Sequence, residues 1–237
     1  DEVFRRALPH TPERFIRECD AMSRTAGISI RDGRTANFFP ELFHCSGVAV
    51  RNAASADGMV IHARVLDYMR DIHLQKYAAI QLWMPTGYHA WLSLRYGGFI
   101  GTVTCMNEKG LAIGEMGGAG EGAWDGMPMN MLLRDAMERA ATVPEALELM
   151  RKAPRTCEYY YVLSDAQRNI AGVYATPDVF EVVNAGQQHP KLPFVPEETV
   201  MFSAGSRAEK LSERLQEHYG KIDVPTMMEI IKRPVAM

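Results

Sequence analysis

The middle of the chain is a succession of short apolar runs, many alternating with polar residues at a period of two. They read "SGVAVRN", "GMVIHARVL", "YAAIQLWMP", "HAWLSLRY" and "GFIGTVTCM". Turn signals such as "ADG", "PTG" and "YGG" separate them, so the spacing predicts strands in an antiparallel meander. "NEKG" is a tight turn into a further short strand, "LAIGEM". A second strand group follows at "EYYYVLSD", "IAGVYAT" and "VFEVVN".

The pattern switches to helical spacing elsewhere. "TPERFIRECDAMSRT", residues 11–25, predicts a helix with Thr11 as its cap and Pro12 at its first position. "PMNMLLRDAMERA" and "TVPEALELMRK" predict two more. Met129, Leu132, Leu133 and Met137 form one apolar stripe suited to core packing, and Thr142 with Glu145 has the spacing of a capping box. Residues 205–219 and 225–233 complete the helices, after a proline-rich loop, "HPKLPFVPEE". Helix, strands, helices, strands, helix is an α+β order. No linker or repeat divides the chain, so one structural domain is expected.

Composition narrows the function more than the fold. The 237 residues are 47% hydrophobic and 23% charged, enough for a sizeable core. With 26 basic and 29 acidic residues the net charge is −3, which argues against a nucleic-acid groove. No apolar run has the length of a membrane span. Cys19, Cys45, Cys105 and Cys157 are widely spaced with no CxxC pair, which disfavours a zinc knuckle, a dithiol redox site and a disulfide framework. There is no GxSxG, HExxH or P-loop sequence, and "GGAGEGAWDG" lacks the spacing of a dinucleotide fingerprint. His44 and His73 have no metal partner at useful spacing, and His62 within a strand reads as structural. No cofactor is implied.

Cys45 stands apart through its neighbours. It precedes an apolar strand, and the next strand carries "RVLD", which is Arg64 to Asp67. Two readings are open: a buried hydrophobic thiol beside a structural ion pair, or a nucleophile served by both polar groups. A cation near sulfur favours the reactive thiolate, Arg64 offers a permanent charge in a planar fork, and Asp67 can accept from an amine.

Four stretches together resemble a known family: "HCSGVAV…DGMVIHARVLDYM", "GFIGTVTCMNEKGLAIGEMGG", "WDGMPMNMLLRDAMERA" and "PRTCEYYYVLSDA". The chain from about Asn37 onward is similar to the penicillin acyltransferase-like cysteine family of N-terminal nucleophile (Ntn) hydrolases, related to choloylglycine hydrolase and acid ceramidase. The resemblance implies a four-layer αββα fold with two stacked, mostly antiparallel sheets. It implies self-cleavage between His44 and Cys45, leaving residues 1–44 as a pro-segment or short chain and residues 45–237 as the catalytic domain. Cys45 would then be nucleophile and amino terminus at once, with its α-amine (pKa about 7.7–8.0) as general base.

On the same resemblance, Asp67 would hold that amine and Arg64 would position the site. The reaction would be attack on an amide carbonyl of a small N-acyl compound to give a thioester, then release to water or to an acceptor amine. Relatives place asparagines as oxyanion donors where this chain has Tyr160 and Glu115, so those two are the candidates for oxyanion or substrate contacts. Loops at residues 117–126 and 184–198 would line the pocket. Relatives also continue into further strands past a point like "RPVAM", so closing strands are expected outside this sequence. A catalytically inactive relative on the same fold and a binding module with a structural Cys45 are the competing readings. Whether the chain forms a homo-oligomer is open.

Overall fold

The computed structural model describes residues 2–38, 45–67, 70–118, 123–192 and 194–232. Three helices open the chain: α1 (Glu2–Ala7), α2 (Glu13–Ala26) and α3 (Ile30–Phe38). Six strands follow: β1 (Ser46–Asn52), β2 (Gly58–Val65), β3 (Ala78–Trp83), β4 (Trp91–Tyr96), β5 (Thr104–Asn107) and β6 (Ala112–Gly117). After α4 (Met129–Arg139) and α5 (Val143–Lys152) come β7 (Tyr159–Ser164), β8 (Ile170–Ala175), β9 (Phe180–Asn184) and β10 (Thr199–Phe202). Helices α6 (Ser206–Glu217) and α7 (Val224–Lys232) end the described chain.

The strands form two antiparallel sheets. One has three strands in the order β10-β1-β2, and the other is a seven-stranded meander from β3 to β9. The expected meander therefore holds from β3 onward, whereas β1 and β2 leave it for a second sheet. Strand β5 is shorter than the apolar run around it, since residues 98–103 are irregular before Thr104. Thr11 does not cap α2. Its hydroxyl donates instead to the carbonyl of Ala7 at 2.9 Å, and Pro12 precedes the helix without a side-chain cap. The Thr142 hydroxyl does accept from Glu145 N, while the Glu145 carboxylate reaches back to the amide of Ala141 rather than to Thr142.

Alternation along the strands builds four layers. Val48 and Val50 of β1 face Leu211 and Leu215 of α6 and Ile230 of α7. Ala49 of β1, with Val200 and Phe202 of β10, points the other way, onto Met116 and Val162 of the large sheet. The far face of that sheet, including Ile113, Tyr161 and Leu163, is covered by α4, α5 and α2 through Leu132, Leu133, Met137, Met150 and Phe15. The order is helix, sheet, sheet, helix. Residues 13–26 belong to this core, because Phe15 and Cys19 are fully buried in it.

The small sheet lies mainly over β6, β7 and β8, with Arg64 reaching Thr104 of β5. Beyond β2 the inner face of the large sheet is open, and Ile80, Leu82, Leu92, Leu94 and Met106 are exposed there. Gly172 of β8 marks how closely the sheets approach elsewhere, since a Cβ at that position would lie 2.3 Å from the Phe202 ring. Gly172→Ala is thus expected to lower the free energy of unfolding by about 1–3 kcal/mol. Urea denaturation followed by tryptophan fluorescence measures it.

Candidate active site

Cys45 stands at the foot of β1 and is 2% exposed. The register Gly47↔Arg64 brings Arg64 of β2 alongside it, one step up the hairpin. Arg64 projects between the sheets, where its guanidinium is fully engaged. Nη2 donates to Cys45 Sγ at 3.1 Å and to Glu115 Oε2 at 3.1 Å. Nε donates to the carbonyl of Glu115 at 2.9 Å, and Nη1 to the Thr104 hydroxyl at 2.9 Å. Both charged side chains are buried, at 2% and 1% exposure. Gly114 makes room for the arginine, because a Cβ there would meet Arg64 Cγ at 2.9 Å.

Asp67 lies just beyond the end of β2, next to the start of β1. Its carboxylate is paired with Arg207, in the first turn of α6. Arg207 carried no sequence signal: it is 140 residues away, and an arginine in a helical first turn is ordinary. His44 lies outside the described residues, and with it the proposed cleavage point. Among the described residues, no group of three or more His, Cys, Asp or Glu side chains is arranged to hold a metal ion.

Cys45 opens into a cavity of about 480 Å³. Its apolar walls include Met116, Leu192 and Phe202, and its polar end carries Tyr160, Glu158 and Lys191. Gly117, Gly118, Lys191 and Leu192 come from the two loops expected to line the pocket; residues 119–122 and 193 fall outside the described ones. The Tyr160 hydroxyl donates to Glu158 Oε1 at 2.9 Å. Burial first, then this bond, raises its pKa. Tyr160 therefore shares the cavity with Cys45 while its hydrogen is turned toward Glu158. Glu115 lies beneath Arg64 as its counter-ion.

A larger cavity, about 700 Å³, lies on the other side of Arg64 beneath the open face of the large sheet. It includes Arg64, Thr104 and His62 but not Cys45. His62 Nδ1 bonds the Ser164 hydroxyl at 2.9 Å, and burial pushes its pKa down to about 4, which keeps the ring neutral at pH 7. The other thiols are different from Cys45 in their surroundings. Burial pushes Cys105 up to about 12 and Cys19 up to about 11, and also raises Cys157.

Two stacked antiparallel sheets between helical layers, with a cysteine at the start of an inner strand, define the Ntn-hydrolase fold. The chain belongs to the acyl-coenzyme A:6-aminopenicillanic acid acyl-transferase family, whose model matches residues 56–185, more than half of its length. Among solved structures it is similar to the N-acylethanolamine-hydrolyzing acid amidase ortholog of Caenorhabditis elegans, with a TM-score of 0.61 at 15% identity over 80% of this chain and 86% of that one. It is also similar to a mutant conjugated bile acid hydrolase of Clostridium perfringens, with a TM-score of 0.50 at 14% identity over 79% of this chain and 78% of that one. At such identities the likeness speaks for the fold.

Proteins dcd1A and dcd1B of Dictyostelium discoideum are 28% and 27% identical over 68% and 69% of this chain. The chain spans only 39% and 34% of their lengths.

The Arg64–Glu115 pair is a buried ion pair, so removing one partner strands the other. Arg64→Met is expected to lower the free energy of unfolding by about 3–5 kcal/mol. The double change to Met at 64 and 115 should recover a large part of that loss in the same denaturation assay.

Proposed function

We propose that the protein is a self-processing cysteine amidohydrolase that cleaves the amide bond of a small N-acyl compound through a thioester on Cys45. The observation that carries this reading is the 3.1 Å bond from Arg64 to Cys45 Sγ, made in a buried site that opens on a cavity. A guanidinium donating to sulfur favours the charged, nucleophilic form. For Cys19 and Cys105, by contrast, burial is the largest influence and raises the pKa.

The steps follow from the residues. Cleavage of the His44–Cys45 bond frees the α-amine of Cys45. Asp67, held by Arg207, is near the start of β1 and orients that amine. The amine takes the thiol proton as sulfur attacks the carbonyl, and then passes it to the departing nitrogen. Glu115 fixes Arg64, so the cation stays at the reacting sulfur through both half-reactions. For the oxyanion, Tyr160 is a hydroxyl of the cavity, and it serves by exchanging its bond to Glu158 for one to the substrate. Water then hydrolyses the thioester. The cavity of about 480 Å³ suits a small acyl compound.

Acyl transfer to an amine is the second reading, supported by the description of the matched family. An inactive relative would keep the geometry and lack the cut. Intact mass under denaturing conditions tests the proposal: wild type should split between His44 and Cys45, and Cys45→Ala should remain one chain. With processed enzyme, added hydroxylamine that diverts acyl product from acid to hydroxamate would mark transfer. Two uncut chains would sink the self-processing reading.

A further inference from the structure

A different part of the molecule holds a buried arginine to which, among the described residues, no carboxylate is bonded. Strands β3 and β4 pair with Ala79 opposite Arg95 and Trp83 opposite Trp91. Alternation along β4 sends Trp91, Ser93 and Arg95 to the helix-covered face, where all three are buried. Arg95 is 4% exposed, and its guanidinium lies 4.5 Å above the Trp83 ring. Among the described residues its hydrogen bonds go to neutral acceptors: Nε donates to the Gln81 side-chain oxygen, and Nη1 to the carbonyl of Gly101 at 3.0 Å.

The carboxylates nearby are committed elsewhere. Glu18 gives both oxygens to Arg134, at 2.9 and 2.7 Å. Glu138 bonds Arg134 and Arg14, and Asp135 bonds Arg14 and Arg139. Arg134 itself adds a like charge beside Arg95. Burial and then that charge pull the Arg95 pKa down to about 9, against a smaller contribution from Glu18. Buried cations are ordinarily matched by an anion. Among the described residues no carboxylate bonds the Arg95 guanidinium, which borders a surface groove of about 590 Å³ between α2 and the β3–β4 edge. Glu18, with both oxygens turned to Arg134, lines the groove together with Thr25 and Gln81, and the remaining wall is apolar, with Ala21, Met22, Phe99 and Ile100.

We propose that this groove is a second binding site, separate from Cys45, for a carboxylate carried on an apolar body, with Arg95 as its counter-ion. The carboxylate forms charge-assisted bonds to the guanidinium at the polar end, while the tail covers the apolar wall. A plain apolar molecule gains the wall alone and leaves Arg95 unmatched, so the site discriminates by charge.

Titration calorimetry with octanoate and octan-1-ol tests it on the intact chain. The wild type should bind octanoate at least about tenfold more tightly than the alcohol, a factor worth about 1.4 kcal/mol. Arg95→Gln should reduce octanoate to the level of the alcohol. Ala21→Trp, on the exposed face of α2, should close the groove and weaken both ligands without touching the charge. Leu94→Glu, in the inter-sheet cavity, should leave octanoate affinity unchanged. Equal affinity for acid and alcohol in the wild type, no binding at millimolar concentration, or octanoate binding untouched by Ala21→Trp would overturn the proposal. If Arg95→Gln does not fold, the acid–alcohol ratio and Ala21→Trp decide it.

Discussion

Everything proposed for Cys45 depends on one buried charge being kept where it is. Arg64 lies between two sheets with almost no contact with water, which is costly for a cation unless partners replace its hydration. The fold supplies them: the Glu115 carboxylate, the Glu115 carbonyl, the Thr104 hydroxyl and the Cys45 sulfur. Those partners come from β6, β5 and the foot of β1, so the arginine ties the small sheet to the large one. The same bonds leave the guanidinium little freedom to turn away from sulfur. A well-packed apolar pair would join the sheets at less electrostatic cost. Retaining the ions at this point is what gives the thiol a polar environment.

Around that pair the architecture is a set of close approaches. Gly114 admits the arginine, and Gly172 admits the Phe202 ring. The small sheet has three strands against seven, so the inner face is covered over β6 to β8 and open over β3 to β5. Cys45 falls at the covered side and meets its own cavity, while His62 and the opposite side of Arg64 face the larger opening. The N-terminal helices are part of the same body. Arg14 bonds Asp135 and Glu138 of α4, and Arg134 of α4 bonds Glu18 of α2. A cut before Cys45 would therefore leave residues 2–38 with a polar network and a buried Phe15 to hold them.

Much of this was legible from residue order, for identifiable reasons. Strands with one face to each layer alternate visibly, as β1 and β4 do, and amphipathic helices with caps, such as α5, announce both ends. Cys45 and Arg64 were legible as candidates because a short hairpin brings them near one another, whereas Glu115 entered through the family resemblance as an oxyanion or substrate contact and stands instead as the counter-ion of Arg64. Partition into two sheets is implied by the family resemblance but not by the strand pattern, since it is decided by β10 pairing with β1 across some 150 residues. Strand β10 itself is four residues, all buried, and shows no alternation. Helix α3 was missed because Gly33 weakens its local propensity; a Cβ there would collide with Ser23 of α2, so tertiary packing selects the glycine. Arg207 and the turn of Tyr160 toward Glu158 are also products of tertiary contact, with no local signature.

The central claim is that Arg64 makes Cys45 chemically different from the other three cysteines. Brief treatment with iodoacetamide at neutral pH, followed by peptide mapping of Cys19, Cys45, Cys105 and Cys157, measures this directly in wild type and Arg64→Gln. The account predicts that Cys45 is modified well ahead of the others in the wild type and loses that lead when the guanidinium is removed. Uniform labelling of the four thiols, or a Cys45 rate unchanged by Arg64→Gln, would contradict it.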